Sequence, residues 1–349
     1  MKKRIKDIFC IYWGLSKFFD NKSDDSIISV FDTSIASTNL GDDIINSSTY
    51  NELKKIFSTE RFIKYPTHSG LAGSSIHYSN LGKYRFVCGT NLISSGMRPY
   101  NPNLWNMNWW DFTRCNPFIL MGVGWGTYQK KIGIYSKYIL SKILDKNVLH
   151  SVRDNYTKEK LLECGVENVI NTGCPTMWNL TAEFCSKIPT EKSDNVIFSL
   201  TATMPKPLYD TNFINALKKI YKNIYFWPQG IDDCNYLKSL DVDLSEINFI
   251  TPGLLDYDNL LASTEFDYVG SRLHGGIRAL QNKRRTIIIA IDNRANEISL
   301  DTNLPSIEQN DGVEKLVSLI ESSFQTQIKI KTQAIDSWKN QFKSVNNSL

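Results

Sequence analysis

The run Phe266-Asp-Tyr-Val-Gly-Ser-Arg-Leu-His-Gly-Gly-Ile-Arg-Ala-Leu280, followed by Thr286-Ile-Ile-Ile-Ala-Ile291, constrains the fold more than any other stretch. It predicts a buried strand, a glycine-bracketed turn carrying Arg272 and His274, a short helix and a second buried strand. Near-continuous apolar strands on either side of a helix require a parallel sheet covered on both faces. Ligands of such sheets sit outside the carboxyl ends of the strands, where the first-turn N–H groups of the next helix attract anions. Gly270, Gly275 and Gly276 permit close backbone approach, and Arg272 brings a permanent cation with a forked donor geometry. His274 adds a side chain able to exchange a proton near neutral pH. The expected site takes an anion and performs acid–base chemistry on it.

The alternation continues along the chain. Strands are predicted at residues 26–31, 85–88 and 118–123, with helices at 41–57, 133–145 and 156–164. After a softer segment, 186–194, the pattern restarts with strands at 195–200, 224–227 and 249–250 and helices at 210–221, 231–238 and 256–263. Helical signal returns near 312–325 and 334–345. A chain of 349 residues is too long for one ordinary core. The expected architecture is α/β, with two Rossmann-like domains of parallel sheet facing a cleft. The N-terminal domain spans 1–188 with a helical extension at 1–25, the C-terminal domain spans 189–330, and a helix at 331–349 crosses back to the first domain.

Composition narrows the function classes. The charge balance of 40 Lys and Arg against 36 Asp and Glu leaves +4, with no arginine-rich run to indicate nucleic acid. The one dense basic patch, Lys283-Arg284-Arg285, reads as a solvated loop between helix and strand. Seven scattered cysteines without a Cys-x-x-Cys pair signal neither a disulfide framework nor a zinc cluster, and four histidines lack metal-ligand spacing. No metal or cofactor is expected. No run approaches the ~20 apolar residues of a membrane span. Ile5, Ile8, Phe9, Tyr12, Leu15 and Phe19 fall at helical spacing, which suits docking on the protein's own core or lying on a membrane surface. The expected location is cytoplasmic, with peripheral contact at the inner face of the cell membrane left open, as is the oligomeric state. Residues 92–113, rich in Asn, Pro and Trp, read as a long loop whose tryptophans either stack on a sugar or plug the loop onto the domain.

Three segments in order carry a family resemblance. These are Asn39-Leu-Gly-Asp-Asp-Ile-Ile45; Ser151-Val-Arg-Asp-Asn-Tyr-Thr157 with Leu161, Gly165-Val166 and Gly173-Cys-Pro-Thr176; and Gly270-Ser-Arg-Leu-His-Gly-Gly-Ile-Arg-Ala279. Together they resemble the polysaccharide pyruvyl transferases, a family with a GT-B-like arrangement, over roughly residues 26 to 300. The resemblance implies transfer of the enolpyruvyl unit of phosphoenolpyruvate onto two hydroxyls of one sugar, forming a cyclic ketal on a surface glycan or its lipid-linked precursor. Phosphoenolpyruvate carries a carboxylate and a phosphate, so fixed cations are needed, together with a general acid over the methylene carbon and a base for the sugar hydroxyls.

On that reading His274, Arg272 and Asp42 are the catalytic candidates. Arg153, Arg272, His274, Gly275, Gly276 and Arg294 would bind the donor; Arg294 stands where the family typically has lysine, so it keeps charge without a transferable proton. Asn39, Asp42, Trp125 and Glu297 would meet the acceptor. Arg153 is also explained by an ion pair with Asp154, Asp42 and Asn39 by helix capping, and Glu297 by either a cap or an acceptor contact. Gly122-Val-Gly-Trp-Gly126 lacks the full dinucleotide fingerprint and the acidic residue that accompanies it, so no nicotinamide site is read there. The competing readings are a GT-B glycosyltransferase with a nucleotide-sugar donor and a non-catalytic glycan-binding protein.

Overall fold

The computed structural model describes residues 23–71, 73–97, 105–106 and 113–343. The amphipathic pattern at the N-terminus, and Trp109 and Trp110 of the predicted loop, lie outside the described residues. Internal contacts divide the chain into two units. Among the described residues, the first contains those within 23–37, 46–175 and 331–343, and the second those within 38–45 and 176–330. The division at Pro175/Thr176 precedes the softer segment because Met177, Trp178, Leu180, Cys185 and Ile188 are all buried, and Gln325 Nε2 donates to the Cys185 carbonyl within the second unit.

The first unit is built on β1 (Asp24–Asp32), β2 (Arg61–Pro66), β3 (Gly82–Cys88) and β4 (Ile119–Met121), parallel in the order β2-β1-β3-β4. Beyond β4 lie β5 (His150–Val152) and β6 (Val169–Asn171), a parallel pair joined to the β4 side by a bridge between Val123 and Val152. The order 2-1-3-4 reverses direction between β1 and β3, as in flavodoxin-like sheets. Phe31, Val87, Phe118, Leu120, Val123 and Trp125 fill the core, with the rings of Phe31 and Phe118 edge to face at 4.8 Å. Helix Thr332–Asn340 belongs to this unit: Trp338 and Phe342 bury their rings against Phe86 at 5.9 and 5.3 Å, and Gln341 Oε1 accepts from Leu149 N.

The second unit holds six parallel strands: β7 (Asn195–Ser199), β8 (Asn223–Phe226), β9 (Ile247–Phe249), β10 (Asp267–Gly270), β11 (Arg285–Ala290) and β12 (Ser306–Glu308). Their order, β12-β11-β10-β7-β8-β9, is the Rossmann order, with its topological switch between β7 and β10. The predicted solvated loop is corrected here. Arg285 is buried at the start of β11, donates from Nη1 to Asp267 Oδ2 at 3.0 Å, and caps the carbonyls of Ile320 and Ser322 at 2.9 and 2.8 Å. Arg284 likewise donates to the Leu261 carbonyl. Their positive charge serves strand and helix ends inside the unit.

Candidate functional site at the carboxyl edge of the second unit

The turn after β10 places Arg272 as the N-cap of helix Leu273–Gln281, directly at the switch point. Thr201, after β7, and Ser271, after β10, join across that switch with their hydroxyls 2.9 Å apart. Leu273, His274 and Gly275 supply the N–H groups that precede the first helical bond, from Gly276 N to the Arg272 carbonyl at 3.2 Å. His274 is only 4 % exposed and sits in the second position of this helix.

Gly276 departs from its expected role. Its N–H is spent on Arg272, and a Cβ there would lie 2.2 Å from Ile288 Cδ1 and 2.8 Å from the Tyr268 ring, so its bareness lets the helix lie on the sheet. Gly275 is similarly crowded, by the Tyr268 hydroxyl, Gln229 Oε1 and the Trp227 ring. Its carbonyl accepts from Tyr257, which stacks on Trp227 at 3.8 Å.

Arg272 is neutralised locally. Its Nε donates to Asp233 Oδ2 at 2.9 Å and to the Leu200 carbonyl at 3.0 Å, and Nη2 donates to Asp233 Oδ1. Nη1 takes part in none of these bonds. Asp233 is fully buried and also accepts from the N–H groups of Ala202 and Gly230, at 3.1 and 2.7 Å. One carboxylate therefore fixes the chain after β7, β8 and β10. Sequence reading missed it because an acid at the start of a helix, as in Asp232-Asp233, is ordinary first-turn chemistry.

Asn39 and Asp42 join the same unit through Gln229. Leu40 N donates to the Gln229 carbonyl at 2.9 Å, Gln229 Nε2 to Asn39 Oδ1 at 2.9 Å, and Gly41 N to the same Oδ1 at 3.1 Å. Ile231 N donates to the Thr38 carbonyl, and Asn39 bridges Gly230 antiparallel. Gln229 is buried, and its Oε1 lies beside Gly275 without a hydrogen-bond partner. It was the second residue the sequence did not disclose. The segment expected on the N-terminal side thus abuts the His274 turn.

Arg294 and Glu297 follow β11 on helix Asn293–Thr302. Asp292 caps this helix through the N–H groups of Arg294 and Ala295, and its Oδ2 also accepts from Arg294 Nε at 2.8 Å and Nη2 at 2.5 Å. Both Arg294 and Glu297 are half-buried.

Arg153 lies in the first unit, just past β5. Nε donates to Asp154 Oδ2 at 3.2 Å and Nη2 to Asn91 Oδ1 at 2.7 Å, while the buried Nη1 has no partner among the described residues. Gly124 makes room for the guanidinium, since a Cβ there would stand 2.2 Å from Arg153 Nη2. Trp125 is corrected. It is fully buried in the core, with its indole N–H donated to Gln129 Oε1 at 2.8 Å, so it presents no surface to a sugar. Among the described residues no group of three or more His, Cys, Asp or Glu is arranged to hold a metal ion.

Comparison with solved structures agrees with the topology. The S. aureus MnaA–UDP co-structure matches with a TM-score of 0.51 at 12 % identity, covering 93 % of this chain and 98 % of that one. UDP-GlcNAc 2-epimerase from Neisseria meningitidis bound to UDP-GlcNAc matches with a TM-score of 0.50 at 11 % identity, covering 92 % and 98 %. At such identities the likeness defines the fold class: two Rossmann-like domains of parallel sheet, as in GT-B proteins. The family follows from sequence. The polysaccharide pyruvyl transferase model matches residues 39–293, and the chain belongs to that family. No curated protein is similar enough in sequence to be matched.

Proposed function

We propose that the protein transfers pyruvate from phosphoenolpyruvate to a sugar of a bacterial surface polysaccharide or its lipid-linked precursor, forming a cyclic ketal. The observation that carries this reading is the Gln229 junction, which holds the Asn39–Asp42 segment against the glycine turn of His274 in one unit. The helix N–H groups of Leu273, His274 and Gly275, with Arg272 Nη1, offer donors to the anionic groups of phosphoenolpyruvate. His274 protonates the methylene carbon, making the methyl group and a cationic C2. One sugar hydroxyl adds to C2 and gives its proton to Asp42. The C2–O bond to phosphate breaks, the released phosphate takes up the proton held by Asp42, and the second hydroxyl closes the ring as it returns a proton to His274. Phosphoenolpyruvate and a diol become a ketal and inorganic phosphate.

Thermal shift tests the donor. Phosphoenolpyruvate at ~100 times its dissociation constant is expected to add about 2.7 kcal/mol without added divalent metal. His274→Gln keeps this shift and lowers turnover by about 10²–10⁴, the scale of general acid catalysis. A shift produced by nucleotide sugars alone overturns the reading in favour of a glycosyltransferase.

A further inference from the structure

Helix Ile134–Ile143 buries Ser136, Ile139, Leu140 and Ile143 in the first unit. The helical period then sends Ile134, Lys137, Tyr138 and Lys142 outward on the other face. Ile134 is 88 % exposed and Tyr138 41 %, and the loop leading into the helix adds Tyr128 at 56 %. Exposed Lys130 and Lys131 lie between them. From Gly126 to Leu144 there are four lysines and no acidic residue. On the following helix Asn155–Glu163, Glu163 is paired with Lys160 at 2.7 Å. Tyr128 is braced edge-on against Tyr156, with 5.1 Å between ring centroids.

We infer that this face rests on an anionic membrane surface. Water gains nothing from an exposed isoleucine between two tyrosines, whereas a bilayer interface accepts all three: the aliphatic chain enters the acyl boundary and the amphipathic rings sit at headgroup level. Lysines ringing such a patch snorkel toward anionic headgroups, and their excess over acids is the complement that a phosphate-bearing surface requires. A protein partner would need acids in register with scattered lysines; a lipid surface supplies them at any register.

The loop begins where Gly122–Trp125 ends, the stretch that packs on Arg153 through Gly124. Trp125 N donates to Thr157 Oγ1 and Gln129 N to the Tyr156 hydroxyl, so the loop that opens the patch and Arg153 lie together at the carboxyl ends of β4 and β5. Those ends are thereby held at the membrane, where an acceptor carried on a lipid anchor would be found. The consequence for the acceptor rests on the proposed function; membrane binding does not.

The test is co-sedimentation of the full chain with vesicles of phosphatidylcholine, alone or with about 30 % phosphatidylglycerol. The protein is expected to pellet with the anionic vesicles and to be released by salt. Lys130→Glu/Lys131→Glu/Lys137→Glu and, separately, Ile134→Asp/Tyr138→Ser each lower the partition coefficient by at least about tenfold. Circular dichroism confirms that both variants melt like the parent. The inference is overturned if the parent ignores anionic vesicles, or if folded variants pellet as well as it does. It is equally overturned if the parent is a dimer that these substitutions split, which would assign the face to a second copy. Phosphoenolpyruvate thermal shift, measured on the same samples, keeps failure here separate from failure of the proposed reaction.

Discussion

A single buried imidazole shows how far burial governs charge in this molecule. His150 lies in β5 with Nδ1 accepting from Leu120 N at 3.2 Å and Nε2 against the Asp145 carbonyl at 2.8 Å, a pairing that holds the neutral ring with its proton on Nε2. Burial pushes its pKa down from 6.5 to about 4. The folded value lies below the unfolded one, so the unfolded chain binds more protons across that window, and stability rises with pH there. As pH falls from 7 to 5 the His150 contribution declines by about 2 kcal/mol, at 1.36 kcal/mol per unit. His150→Asn, which keeps a donor and an acceptor, is expected to flatten this part of the urea-denaturation profile. An unchanged slope in the variant would assign the pH dependence to other groups. Arg272 and Asp233 obey the same rule: a cation at the edge of the core is tolerated because a fully buried carboxylate meets it in a forked pair.

At the scale of elements, apolar runs announced the strands they fill. β7, β8, β10 and β11 lie where unbroken hydrophobic stretches predicted them, because a strand buried on both faces has no polar register to obscure it. Less legible were β2, whose sequence Arg-Phe-Ile-Lys-Tyr-Pro mixes charges into an edge strand, and the three-residue strands β5, β6 and β12, too short for periodicity to register. The site followed the same division. The turn of Arg272 and His274 was visible in its glycines, whereas Asp233, Gln229 and Asn91 act through contacts far apart in sequence and carry no local signature. The glycines themselves were visible but partly misassigned, since packing of helix on strand asks for the same residue as close approach to a ligand. Gly276→Ala separates the two. The added methyl meets Ile288 and Tyr268, and overpacking of this kind costs about 1–3 kcal/mol. A lowered urea midpoint in the absence of any ligand is the expected result; unchanged stability with weakened phosphoenolpyruvate binding would return Gly276 to the ligand.

The whole chain is not folded in simple order of sequence, and this has a measurable consequence. Residues 331–343 return to the first unit after the second is complete. There Ile335, Trp338 and Phe342 are at most 5 % exposed, and Phe342 packs on Phe57, Tyr84 and Phe86. Lys339 adds an ion pair with the buried Glu52, whose carboxyl is held below the ordinary range by hydrogen bonds to Lys339 and Lys55 despite burial. Burial of an isoleucine, a tryptophan and a phenylalanine together contributes on the order of 6 kcal/mol, at roughly 1.5–3 kcal/mol each. A domain's entire stability is about 5–15 kcal/mol, so loss of this one helix removes a large share of what holds the first unit. A chain ending at Ile330 is therefore expected to lose amide protection in β1, β3 and β4 while β7, β8, β10 and β11, whose sheet and flanking helices stay intact, retain theirs. Hydrogen exchange read by mass spectrometry on the truncated and full chains distinguishes the outcomes. Equal protection of both sheets after truncation would show the helix to be an ornament on the first unit, and uniform loss across both would show that the two units do not unfold separately.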